Sequence, residues 1–506
     1  MDQGGPAAVT HYAHHRHHRS AGSGPFDWLG RAADALVLGL FLALLVVSPL
    51  PMGGNRDWAW SPMVVAAGAI AVLCALGLGV SRDRFEVGRL ERRPMLALLG
   101  CFGFMVAIAL VQMLPLAPET AAAIYFRHAR EILGQASAPV AGLASDSALF
   151  TLLKCFACGL IFLMARSLCR DEAGARLLLM AFLVSAAIVM AYALYAQTAT
   201  HGCYVGAFLK KQGSYSALND RCLMSGTFVS SNNFACFVGM AVVAALALVL
   251  GDSNRRPADY EETEEDEDDD DGGYARGWLT GTRLALVALI VVCLGGLLIS
   301  GSRAGFASTV VGAIALAWLM VRGHKRSRVV VRRAILSGVI LALVVGLIAG
   351  GALLRKSSTL SNPDSLNRLT IWRVSLDAVR QSPLLGWGLG AYPDIYAIHQ
   401  PETIPLPNDK AHSTPVETLV ELGIPGGLAA FMVVLIPWWI CLRGALRKRL
   451  RYLPAAAFAV SGVAIVHSLV DFSLQMPAIG FVVSAMLGMG WAHAFDEPDR
   501  DARAGR

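Results

Sequence analysis

Runs of about twenty mainly apolar residues recur along this chain, and they constrain its fold more than any motif does. A hydrocarbon layer needs roughly that many residues per helix. Lipid leaves no partner for an unpaired backbone group, so each run is expected to be a membrane-spanning α-helix. Twelve such runs are read, at 33–52, 61–81, 94–115, 148–168, 176–196, 233–251, 282–300, 304–322, 334–353, 424–442, 454–470 and 476–496. Composition agrees: of 506 residues, 55% are hydrophobic and 16% charged, against about 25% charged in an ordinary soluble chain. Mean hydropathy is +0.53. A soluble globular enzyme, a coiled coil and a secreted disulfide scaffold are excluded. The expected fold class is an all-α polytopic membrane protein of about twelve transmembrane helices.

Orientation follows from Lys and Arg in the connections, which concentrate on the cytoplasmic side. Basic residues crowd four alternate loops, around Arg82 to Arg93, Arg166 to Arg176, Arg322 to Arg333 and Arg443 to Arg451, whereas the short connections on the other side hold only Arg56 and Arg303. Both termini are therefore expected in the cytoplasm. The chain divides into a His-rich N-terminus (1–32), six spans (33–251), an acidic loop (252–281), three spans (282–353), a large outer loop (354–423), three spans (424–496) and a tail (497–506). The acidic run Glu261 to Asp271 repels itself and reads as a solvated insert. The cluster His11, His14, His15, His17 and His18 reads as a cationic arm near anionic lipid. Cys155 and Cys158 lie in an apolar run and read as core residues. Cys203 and Cys222 share an outer segment and are candidates for a disulfide if that side is oxidising.

Ionisable residues in or beside a span are costly and mark function by default. Here they gather at one level. Lys154 lies near the outer start of its span, Arg303 follows directly on another, and His467 and Asp471 are four residues apart on what reads as one helical face. The span centres are nearly free of charge, which argues against a transporter, whose site is expected at the midplane in broken helices. The pattern suits a site opening to the outer face, for a lipid-borne substrate with a polar head.

The outer loop supplies the chemistry. Asp364 to Arg380 reads as an amphipathic helix, with Leu366, Leu369, Trp372, Leu376 and Val379 at helical spacing. Arg368 shares a face with Trp372, and Arg373 has Asp377 at i+4 as a surface partner. Arginine suits a diphosphate, because its planar fork donates two parallel hydrogen bonds and keeps its charge. His412 lies two residues before an expected helix start, with Thr414 as N-cap, Pro415 at the first position, Glu417 closing a capping box and Gly423 ending the helix. It is the candidate general base.

These residues resemble the O-antigen ligase and Wzy-type O-antigen polymerase superfamily over about 224–477. The matching pieces are Gly226-Thr227-Phe228 with Asn232-Asn233-Phe234-Ala235, Gly301-Ser302-Arg303-Ala304-Gly305, Asn367-Arg368 with Ile371-Trp372, the Pro383 to Gly390 turn, His412 with Glu421-Leu422-Gly423-Ile424-Pro425-Gly426, and His467 to Phe472. The resemblance implies a GT-C-like membrane glycosyltransferase in a bacterial inner membrane, with its active site facing the periplasm. It implies no metal, cofactor or nucleic acid. The donor would be an undecaprenyl-diphosphate-linked glycan, the acceptor a second glycan or lipid A core, and other polysaccharide assembly proteins are possible partners. The family's essential arginines would fall on Arg303 and Arg368 and its essential histidine on His412. Arg373, Lys154, His467, Asp471, Asn233 and Trp372 are the candidate substrate-binding residues. The family often has Asn after that histidine; here Ser413 stands there. Polymerisation of lipid-linked repeats is the preferred reading, O-antigen ligation the alternative, and a lipid-linked glycan transporter the non-enzyme one.

Overall fold

The computed structural model describes residues 27–76, 86–114, 145–199, 221–253, 271–322, 363–402, 408–447 and 452–495, with isolated positions between 124 and 142 and between 204 and 216. The expected span 334–353, the acidic run up to residue 270, the His cluster and Cys203 lie outside these residues.

Thirteen helices make up the described chain: α1 (Asp27–Val47), α2 (Asp57–Ala75), α3 (Arg89–Met113), α4 (Ser145–Leu168), α5 (Glu172–Ala199), α6 (Ser231–Ser253), α7 (Asp271–Ile299), α8 (Arg303–Arg322), α9 (Pro363–Gln381), α10 (Tyr392–His399), α11 (Thr414–Leu446), α12 (Tyr452–His467) and α13 (Pro477–Phe495). Nine of them are long and apolar enough to cross a membrane, and α12 and the Ala32–Val47 part of α1 are shorter apolar helices. Two-residue antiparallel ladders, Tyr204–Val205 with Leu209–Lys210 and Tyr215–Ser216 with Arg221–Cys222, are the only strands among the described residues. The protein is an all-α polytopic membrane protein.

Packing sorts the helices by their side chains. α6 and α13 are buried along most of their length, whereas α3 and α7 expose most of theirs. A helix apolar all round belongs either in the middle of a bundle or against lipid. Small residues decide which. Gly239 of α6 abuts Thr309 of α8, and Gly312 of α8 abuts Ala459 and Val463 of α12, so the three backbones approach closely. α12 then contacts α6, α8, α11 and α13. At one end of the bundle Arg166 of α4 forms a buried ion pair with Glu91 of α3, and Trp491 of α13 donates to the same carboxylate at 2.6 Å.

The other end carries the polar machinery. α9 spans 363–381, close to its expected bounds, because Pro363 opens it and Pro383 follows its end. α11 follows expectation in breaking at Gly423 (φ +68°): one helix ends there, and a second begins at once and runs to Leu446. The short segment 414–422 is thus joined directly to the membrane-spanning half. At this break the Pro383–Gly390 turn meets the chain backbone to backbone. A Cβ on Gly423 would lie 2.7 Å from the Leu384 carbonyl and 2.8 Å from Gly386 N, and one on Gly386 (φ +70°) would strike Glu421 and Gly423. Ile424 N donates to Pro383 O at 2.7 Å, and Trp387 N to Val420 O at 3.0 Å. Only glycine fits at either position.

Candidate active site

His412 is held by its neighbours on every side. Trp372 Nε1 on α9 donates to the Ala411 carbonyl at 2.9 Å. Ala411 N and Lys410 Nζ donate to the two oxygens of Glu417, each at 2.9 Å. Thr414 N donates to Ser468 O (2.9 Å) and Asp471 O (3.1 Å), the turn that follows α12. His412 itself has φ +50°, a left-handed backbone that non-glycine residues adopt at a cost, and such costs concentrate at functional sites.

The expected capping box does not form. Ser413, not Thr414, is the N-cap. The carbonyls of Ser468 and Asp471 take the first N–H, which releases the Glu417 carboxylate to fix the loop ahead of the helix.

His412 Nδ1 lies 3.3 Å from Asp471 Oδ1; the histidine side chain is 30% exposed and the aspartate 1%. The ring also packs on Phe472, centroids 5.5 Å apart. Asp471 Oδ1 further accepts from Phe472 N at 2.9 Å, while Oδ2 is buried with no partner among the described residues. Burial alone would push this carboxyl up. The His412 hydrogen bond, the His467 and His412 charges and the Phe472 N–H outweigh it and hold Asp471 below the usual carboxylate range. An ionised Asp471 keeps the proton on His412 Nδ1, so Nε2 presents its lone pair.

Arg368 Nη1 donates to the Val470 carbonyl at 3.3 Å, so α9 is anchored to the same turn as His412. Asp471 is therefore not on a helical face with His467, because α12 ends at His467 and a turn follows. His467 is fully buried. Its Nδ1 bonds Ser473 Oγ at 2.8 Å, and that hydroxyl donates to Asn233 Oδ1 of α6 at 2.9 Å. With the one hydroxyl proton spent on Asn233, His467 Nδ1 carries the proton of that bond. Asn233 and His467 thus brace the turn from beneath.

The remaining candidates are more dispersed. Arg303 opens α8 and is exposed, after Gly301 at φ +68°. Gly305 packs on Ala235 of α6, two residues from Asn233, which puts Arg303 at the same end of the bundle. Lys154 Nζ stands over the Trp60 ring at 4.6 Å, within electrostatic reach of Lys410. Arg373 is exposed, and its expected partner Asp377 pairs instead with Arg380 at 2.5 Å. The i+3 partner took the carboxylate that i+4 spacing had assigned to Arg373. Cys222 is disulfide-bonded, and the eight other described cysteines, Cys155 and Cys158 among them, form no disulfide. The described residues contain no cluster of three or more metal-ligating side chains.

Two sets of polar contacts near the site were not legible in the sequence, although Glu417 and Glu421 themselves were singled out there. Lys410, Glu417 and Glu421 form a buried polar cluster beside the loop. Burial and then the Glu417 charge push Glu421 up to about 8, so it is largely protonated at neutral pH. Burial opposes the Lys410 charge, but its carboxyl neighbours, Glu417 foremost, more than offset it and raise its pKa. Glu421 Oε1 also accepts from Tyr392 N at 3.3 Å. Gln112 of α3 donates to Leu385 O (2.5 Å) and Glu421 O (2.8 Å) and accepts from Leu389 N (3.0 Å), stapling the 383–390 turn to α11. A lone amide in an apolar run was the available signal for Gln112.

No curated protein matches the chain. The O-Antigen ligase family model matches residues 288–431, a stretch that holds Arg303, Arg368, Trp372, Arg373 and His412 and stops short of His467 and Asp471. Over that stretch, less than a third of the chain, the sequence is similar to the O-Antigen ligase family.

Proposed function

We propose that the protein is an inverting, metal-independent glycosyltransferase that polymerises undecaprenyl-diphosphate-linked oligosaccharide repeats at the periplasmic face of a bacterial inner membrane, with both termini in the cytoplasm. The observation that carries this reading is the His412–Asp471 pair, held on one turn together with Arg368. Asp471 orients the imidazole and stabilises its protonated form, and Nε2 takes the proton of an acceptor sugar hydroxyl. The acceptor oxygen forms a bond to the anomeric carbon as the bond from that carbon to the diphosphate oxygen breaks. Undecaprenyl diphosphate leaves, and attack from the opposite face inverts the centre. Arg368 and Arg303 stabilise the charge that develops on the diphosphate. Trp372 sets the height of the His412 loop, and Lys154 extends the cationic rim.

O-antigen ligation uses the same donor chemistry with lipid A core as acceptor. The test is purified protein in lipid, given a lipid-linked repeat with and without core. A ladder still on undecaprenyl diphosphate, formed without core and insensitive to a chelator, supports polymerisation. Glycan moved to core only when core is present would replace that reading with ligation. Full transfer by both Arg368→Ala and His412→Ala, correctly inserted, would refute the assigned roles.

A further inference from the structure

The outward face of α9 is unusual for a helix in a polar loop. Leu369, Arg373, Leu376 and Arg380 recur at spacings of four, three and four and so share one face. That face lies opposite the buried Ile371, Ser375 and Ala378. Leu369 is 50% and Leu376 44% exposed, and both arginines are exposed beside them.

Where this face leads is set by the end of the helix. The next exposed apolar residue is Leu384, in the turn whose Pro383 carbonyl accepts from Ile424 N at 2.7 Å. Ile424 begins the membrane-spanning half of α11. Its exposed large side chains, Ile424, Leu428 and Met432, recur every four residues and form the lipid-facing stripe of that span. The Leu384 backbone lies against Gly423, the residue just before that stripe, and its side chain is 69% exposed. The other end of α9 is tied through Arg368 to Val470, just past the end of α12. A helix of 19 residues, about 28 Å long, is thus fastened at two points to the ends of two membrane helices.

We propose that α9 is an interfacial helix docked on the phospholipid of that membrane surface, with Leu369 and Leu376 at the acyl boundary and Arg373 on a lipid phosphate. Alternating leucines and arginines match that boundary, apolar on one side and anionic on the other. Arg373, left without Asp377, is the cation whose charge this surface uses. The membrane then fixes the tilt of the helix that bears Arg368 and Trp372. The proposal does not depend on the glycosyl-transfer reading.

The test uses the full chain in nanodiscs of phosphatidylglycerol and phosphatidylethanolamine, free of undecaprenyl lipid. A photo-crosslinking phenylalanine replaces Leu369, Leu376, Leu428 or Asn367, one at a time, and lipid adducts are counted by mass spectrometry. Leu428 sets the yield of a lipid-facing site, and Asn367 is exposed on another side of α9. Adducts at 369 and 376 within about threefold of 428, and at least tenfold above 367, are expected. Yields at 369 and 376 equal to that at 367 would overturn the proposal, because the face would then meet water. All four sites are exposed, so folding is preserved and checked by gel filtration.

Discussion

Asp471→Asn isolates the charge of the proposed dyad with almost no change of shape. The amide oxygen can keep both contacts of Oδ1, to Phe472 N at 2.9 Å and to His412 Nδ1 at 3.3 Å. The turn and its carbonyl bonds to Thr414 are untouched. What disappears is the negative charge beside the imidazolium that forms as the acceptor hydroxyl loses its proton. At 3.3 Å and an effective dielectric of about 20, a full charge pair is worth roughly 5 kcal/mol. His412 is 30% exposed, and the proton is only partly transferred in the transition state, so roughly 3–4 kcal/mol remains. Each 1.36 kcal/mol is tenfold in rate, so kcat should fall by about 10² to 10³. The donor KM should hold, since Arg368 and Arg303 are unaffected. Initial rates of transfer from a lipid-linked donor, at saturating donor, read the effect. His412→Ala should lose at least as much, and the double variant should be no slower than His412→Ala, because the aspartate acts only through the ring. A rate within threefold of wild type for Asp471→Asn, or losses that multiply in the double variant, would refute this reasoning.

The same carboxylate makes a claim about pH. Its pKa in the folded protein lies below the usual range, so its stabilisation is complete above the unfolded value of about 3.9 and is lost as pH falls through the lowered one. Thermal midpoints of Asp471→Asn should sit below wild type at pH 7, and the gap should close in acid. Trp372→Phe removes the donor to Ala411 O and leaves a smaller aromatic ring. It should lower kcat several-fold with a thermal midpoint only a few degrees lower, and an unchanged rate would remove Trp372 from the positioning of His412. Gly423→Ala drives a Cβ against the 384–386 backbone at a positive φ, a cost above about 3 kcal/mol; little folded protein should survive extraction. Arg166→Ala leaves Glu91 buried and unpaired, at about 3–5 kcal/mol. Glu91→Gln with Arg166→Met should recover much of that stability, as measured by aggregation temperature in detergent.

The membrane helices were legible because lipid allows one solution for an apolar run of that length. α9 was legible because its period and its flanking prolines are local signals. Arg368 and His412 each stood out from neighbouring residues alone. Their convergence did not, because it is made by contacts far apart in sequence: Asp471 lies 59 residues from His412, and Ser473 lies 240 from Asn233. Glu417 shows how a local rule fails. Its spacing from Thr414 fits a capping box, but carbonyls from a distant turn reached the helix start first. Gly423 was legible as a break, yet nothing nearby in sequence revealed that Gly386 fills the space its missing side chain leaves.

Val470 and Asp471 belong to one short turn, and that turn sets the separation between the base and the cation. The separation is therefore independent of how many residues connect α10 to Lys410. That connection can lengthen or shorten without moving His412 relative to Arg368, because both are fastened to the same turn.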